Sequence, residues 1–173
     1  MLEKIRKPII KTSPKNQIKN TFLLIIIGLI IGVLIKWLDE NASTIGPIFS
    51  EVSVWVLICS TIAAYSQSPK RAAINVFLFS ISMLITYYLY SEIAGIYYSL
   101  RFVYGWAIFS LFTPFFGYFT WYCKGRGNLP KILKMIIVLF MVLVAFKMFD
   151  GIKARDIVFI ALTLYILKPD NRK

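Results

Sequence analysis

The chain has 173 residues, 58% of them hydrophobic and 16% charged, with 20 Lys and Arg against 8 Asp and Glu and no His. A soluble domain carries roughly a quarter charged residues, so a water-facing globule is excluded, and a mean hydropathy of +0.71 makes lipid the natural solvent. The absent His and the two Cys, Cys59 and Cys123, remove the usual ligand sets for zinc, copper and haem iron and leave no disulfide framework, and the net charge of +12 is spread over helix ends and loops instead of forming a nucleic-acid face.

Residues 1–20 form a basic arm (Lys4, Arg6, Lys7, Lys11, Lys15, Lys19). The apolar run that follows lacks an Ala-x-Ala-like cleavage site and is predicted to be a retained signal anchor. A helix crossing about 30 Å of hydrocarbon needs about 20 residues. The predicted spans are Thr21–Leu38, Val52–Ser66 with Trp55 near its start, Ala72–Tyr90, Phe102–Cys123, Ile132–Phe149 and Ile157–Leu167. The last has an uncharged core of 11 residues and needs Arg155 and Lys168 to snorkel, or the bilayer to thin, if it is to cross. The expected fold is all-α: a polytopic transmembrane bundle of about six helices over residues 21–168, with a short tail at 169–173.

Counting Lys and Arg over alternate loops gives 15 on one side and 5 on the other, while Asp39, Glu40, Glu51, Glu92, Asp150 and Asp156 fall on the cation-poor side. By the positive-inside rule both termini are cytoplasmic, in a multi-pass protein of the cell membrane. The arm then also attracts anionic lipid, at about 1 kcal/mol per basic residue near the surface. Ser13-Pro14-Lys15 before Asn20-Thr21-Phe22-Leu23 recurs as Ser68-Pro69-Lys70 before Asn75-Val76-Phe77-Leu78, and Leu129-Pro130-Lys131 opens the fifth helix similarly. Two readings stand: helix-start punctuation, with Ser as N-cap and Pro in the first turn, or three tandem helical hairpins.

Small and polar residues at helical spacing mark packing faces: Thr21, Gly28, Gly32 and Asp39; Ser53, Ser60 and Gln67; Asn75, Phe79, Ser82 and Thr86; Trp106, Ser110, Thr113, Gly117 and Thr120. Gly28-x-x-x-Gly32 suits close approach of another helix, in the bundle or on a second protein. The fifth helix (Ile136 to Val142) is featureless, so the first four helices are expected at the centre and the fifth toward lipid. No span carries an ionisable residue near its middle, which argues against a proton-coupled pump or voltage sensor. There is no phosphate-binding Gly-rich loop and no Ser-His-Asp set, so neither an enzyme nor a cofactor is expected.

The outer half is rich in aromatics, including Trp37, Phe49, Trp55, Tyr87, Tyr88, Tyr97, Tyr98, Tyr104 and Trp106. One reading is an interfacial belt. The other is an outward-facing pocket for a small molecule, lined by Trp55, Tyr87, Tyr88, Arg101 and Trp106, with Glu51 and Glu92 at the same level. Arg101 would clamp a carboxylate or pair with Glu92.

Gly28-x-x-x-Gly32 with Asp39, Trp55, Ser68-Pro69-Lys70-Arg71-Ala72-Ala73, Tyr87-Tyr88, Arg101 and Trp106, and Pro114-x-x-Gly117 together resemble a family of small bacterial polytopic membrane proteins known as a domain of unknown function, over about Gly28 to Gly127. That resemblance implies a membrane protein and carries no activity. The Lys- and Ile-rich usage fits a low-GC Gram-positive bacterium. The chain is also similar, more loosely, to substrate-binding subunits of energy-coupling vitamin transporters, which present small residues on the first helix, normally Ala-x-x-x-Ala, to a transmembrane partner. By that similarity Gly28 and Gly32 would take the docking part, and an ATPase module would supply energy. Two functions are expected from these residues: a solute-binding or transport subunit, or an accessory membrane protein that binds another membrane protein or lipid.

Overall fold

The computed structural model describes residues 5–8, 13–42, 46–49, 51–148 and 151–169, which form helices and no strands. In chain order these are α1 (Pro14–Asn41), α2 (Gly46–Phe49), α3 (Val52–Tyr65), α4 (Pro69–Ile93), α5 (Leu100–Tyr122), α6 (Asn128–Met148) and α7 (Ala154–Ile166). Four of them (α1, α4, α5 and α6) are long and apolar enough to cross a membrane. At 1.5 Å per residue, α1 is about 42 Å long, whereas α3 and α7 reach only about 21 and 20 Å. All six expected helices are therefore present, but two fall short of the hydrocarbon thickness. The first also begins seven residues before the predicted Thr21, so the end of the basic arm is helical.

The Ser-Pro-Lys repeats open helices as expected. Pro14 and Pro69 each sit in a first turn, and Ser68 Oγ accepts from Arg71 N at 3.2 Å, although the Ser13 hydroxyl makes no such bond. The repeat also has a tertiary meaning. α1 and α4 lie parallel and nearly in register, as three polar pairs along them show. Arg71 Nε donates to Gln17 Oε1 (3.0 Å), Thr21 Oγ1 to Asn75 Oδ1 (2.6 Å), and Tyr87 Oη to Asp39 Oδ2 (3.0 Å). Between these pairs Gly28 faces Ser82 and Phe79, and Gly32 faces Met83 and Thr86; a Cβ on Gly28 would lie 2.7 Å from the Phe79 carbonyl oxygen. The small-residue stripe thus serves the interior of the bundle, and the expected docking of a second protein through Gly28 and Gly32 is closed, because α4 already fills that contact.

The chain reverses after each of α1, α4 and α6; α4/α5 and α6/α7 pack as hairpins, whereas among the described residues α1 packs on α4 and not on α3. α3, α5 and α7 are parallel to one another, and their C-terminal ends meet in a buried cluster of Ala64, Cys123 and Leu167. The opposite ends of α3 and α7 are joined by Glu51, which is 2% exposed and takes the Arg155 guanidinium, and by Ser53 Oγ donating to Asp156 Oδ1 at 2.8 Å. α3 is the centre of the bundle, in contact with α2, α4, α5, α6 and α7. α6 faces outward as predicted, with Met135, Ile136, Leu139 and Leu143 exposed. α1, however, is not central: it lies along α4 and turns Phe22, Leu23, Ile30 and Leu34 outward.

Candidate functional site

The bundle has a basic end, carrying Arg6, Arg71, Lys124 and Arg126, and an acidic end, where Asp39, Glu40, Glu51, Glu92 and Asp156 are set among Lys36, Arg101, Lys153 and Arg155. α3 is about half the length of α1, and its N-terminal end stops short of the acidic ends of α1 and α4. Trp55, one turn into α3, is 5% exposed and packs with Ile35, Phe79 and Met83, flanked by Phe49, Tyr87 and Trp106. The α2 turn closes back on α1, its Gly46 N donating to Ala42 O at 2.8 Å, and so brings Phe49 to this spot. α4 ends in a glycine cap: Gly95 adopts φ 66°, Gly95 N donates to Glu92 O (3.2 Å) and Ile96 N to Ser91 O (2.8 Å). That turn carries Tyr98 back onto Tyr88, with ring centroids 5.3 Å apart.

The result is a cavity of about 40 Å³ lined by Ile35, Phe49, Trp55, Met83, Leu84, Tyr87, Tyr88 and Trp106. Four of the sequence-predicted ligand residues, Trp55, Tyr87, Tyr88 and Trp106, are therefore brought together. The other three are not. Glu51 is committed to Arg155 and, at 3.8 Å, to Lys153. Glu92 accepts from Tyr98 Oη at 2.7 Å, and that bond holds the Tyr98 phenol above its ordinary pKa. Arg101 is exposed on the first turn of α5, outside the cavity lining, and no Arg101–Glu92 ion pair exists among the described residues.

Charged groups of α1 lie behind this lining and meet it at Tyr87, giving it a polar rim. Lys36, 5% exposed, lies 2.7 Å from Glu40 Oε1, 3.9 Å from Asp39 Oδ2 and 5.4 Å from the Tyr87 ring centroid. A buried ammonium needs such partners, since desolvation without them costs several kcal/mol. The spacing Lys36-x-x-Asp39-Glu40 puts all three charges on one helical face and was the available signal for this rim. The chemistry on offer is aromatic faces, two phenol hydroxyls and a net negative rim. A volume of roughly 10–15 Å³ holds one water, so the cavity has room for a ligand of a few heavy atoms.

A second cavity, of about 70 Å³, lies among α3, α5 and α6 and is lined by Val56, Cys59, Phe109, Phe116 and Phe140 among others. Its Thr113 hydroxyl is spent on Ser110 O (2.7 Å), Ser60 and Thr120 are its other hydroxyl-bearing lining residues, and no charged group borders it, so it is a mostly apolar gap beside α6. At the basic end a polar knot joins four elements: Asn75 Nδ2 donates to Ser66 Oγ (3.0 Å) and Trp121 Nε1 to Ser66 O (2.8 Å). Among the described residues no group of His, Cys, Asp and Glu is placed to hold a metal ion.

Residues 11–133 match the Family of unknown function (DUF6518). The chain belongs to this family. The matched stretch takes in α1 to α5 and the first turn of α6, hence every residue lining the aromatic cavity, and leaves most of the α6/α7 hairpin outside. No curated protein and no solved structure matches the chain.

Proposed function

We propose that this chain is a non-enzymatic, multi-pass protein of the cell membrane that binds a small solute at the aromatic cavity, with the acidic end facing out. The observation that carries the reading is the convergence of Trp55, Tyr87, Tyr88 and Trp106 from three helices on one cavity, with Trp55 lying 32 positions before Tyr87 and 51 before Trp106. An interfacial belt would point such side chains at lipid headgroups, whereas Trp55 is turned into the protein. The orientation rests on the distribution of Lys and Arg. The net negative rim and aromatic walls favour a neutral or cationic compound over an anion. An accessory role through Gly28 and Gly32 has lost its surface to α4, and an energising ATPase module would have to dock elsewhere.

The test is a ligand screen on the detergent-purified protein, following both thermal unfolding and tryptophan fluorescence. Small amines and small neutral polar compounds of a few heavy atoms form the panel. A true ligand raises the melting temperature and perturbs the emission of Trp55 and Trp106. Its effect is lost in Trp55→Ala and Tyr88→Ala and kept in Arg101→Ala. If no compound moves either signal, or if its effect survives Trp55→Ala, the cavity is packing and the proposal fails.

A further inference from the structure

The basic end holds a contact that the aromatic cavity does not explain. Arg6, in the non-helical residues 5–8, is only 9% exposed. Its Nη1 donates to Trp121 O at 2.6 Å and its Nη2 to Ala64 O at 2.9 Å, while Cζ lies 4.2 Å from the centroid of the Trp121 ring. Ala64 and Trp121 belong to the last turns of α3 and α5, where carbonyls lack intrahelical donors and the helix dipoles place negative charge. One guanidinium therefore caps two helix ends, 58 and 115 positions away in sequence. Ile5 completes the contact: it packs against the cluster of Ala63, Ala72, Val76, Trp121 and Tyr122, and its carbonyl accepts from Arg126 N at 3.3 Å. Directly beneath lies Cys123, which is 0% exposed.

We infer that Ile5 and Arg6 form a releasable strap that closes the basic end of the bundle over the converging ends of α3 and α5, next to the Cys123 cluster. The contact is releasable because, among the described residues, only Ile5 and Arg6 of this segment are anchored on the bundle. Lys7 and Pro8, the next residues, are already exposed, and the strap belongs to no helix. Its principal bonds come from a single cationic side chain that an anionic lipid surface attracts as well. Closure matters because Arg6 supplies the missing donors; without it the carbonyls of Ala64 and Trp121 draw in water and the Cys123 cluster opens. The inference is independent of any solute at the opposite end.

Cys123 is the reporter. Two single-thiol proteins are compared in detergent, Cys59→Ala to follow Cys123 and Cys123→Ala to follow Cys59, each with Arg6 intact or replaced, using a water-soluble maleimide. Arg6→Ala is expected to speed Cys123 labelling at least about tenfold, the scale on which losing charge-assisted hydrogen bonds shifts a local opening equilibrium. Cys59 labelling stays unchanged, Arg6→Lys falls between, and added methylguanidinium slows Cys123 labelling of Arg6→Ala again. Cys123 labelling that stays at the wild-type rate in folded Arg6→Ala overturns the strap, and so does labelling of Cys59 that accelerates in step. Should Arg6→Ala fail to fold, Arg6→Lys decides alone: a wild-type rate there overturns the proposal.

Discussion

Replacing Gly32 by Ala sets two opposing effects against each other, and the structure says which one wins. In a helix interior Ala is favoured over Gly by about 1 kcal/mol. A Cβ at Gly32, however, would collide with the carbonyl oxygen of Met83 and with Thr86 Oγ1. The first belongs to the α4 backbone and cannot rotate aside. The second already donates to Ser82 O and Met83 O, both at 3.2 Å, so moving it breaks bonds. Overpacking of this kind costs about 1–3 kcal/mol, and an immovable backbone partner puts it at the upper limit. The net expectation is about 2 kcal/mol of destabilisation. Gly105, also inside a helix, has nothing within 4 Å of the same added carbon. Gly105→Ala should therefore stabilise by about 1 kcal/mol. Thermal or denaturant unfolding of the two variants in one detergent measures the contrast. A neutral or stabilising Gly32→Ala would refute the parallel α1–α4 contact.

Glu51→Ala leaves Arg155 and Lys153 without their carboxylate at a site where Glu51 is 2% exposed. Arg155 is 31% exposed and partly rehydrates, so the loss is expected near the lower end of the 3–5 kcal/mol typical of broken buried pairs, about 3 kcal/mol; the double variant Glu51→Ala with Arg155→Ala should recover part of it, and unfolding midpoints check both. Tyr87→Phe removes the hydrogen bond to Asp39 and should cost about 1–2 kcal/mol without altering helix content by circular dichroism. Wild-type Cys123, buried against Ala64 and Leu167, should resist maleimide even after lysis. Orientation is therefore better read from introduced thiols: Tyr97→Cys, at a position 91% exposed, should label in intact cells, and Lys70→Cys only after they are broken. The reverse pattern would invert the topology.

Several site features were legible in the chain because they are local. Trp55, Tyr87, Tyr88 and Trp106 stood out as aromatics at one level, and the charge face of Lys36, Asp39 and Glu40 follows from helical spacing alone. Arg101 and Glu92 shared that level too, yet they do not meet. Level along a helix axis is fixed by residue count, whereas azimuth relative to neighbouring helices is not. Glu51 was placed near the ligand for the same reason, and only the position of α7 reveals that Arg155 claims it.

Composition and run length determined by themselves that this chain folds as helices in lipid: in hydrocarbon every backbone amide must be bonded within its own segment, and that demand acts locally. The same local logic marked Ser13-Pro14 and Ser68-Pro69 as helix-start signals, although the spans are read only from Thr21 and Ala72, and it picked out the small faces of α1, α4 and α5. The tertiary structure alone decided that α1 pairs in parallel with α4, that the short α3 is the centre, and that Arg6 returns to cap helices ending at Tyr65 and Tyr122. Those outcomes depend on which faces meet across dozens of residues. In a chain whose helices are all apolar, pattern and hydropathy rank such pairings almost equally; steric fit at glycines and a few buried polar bonds separate them.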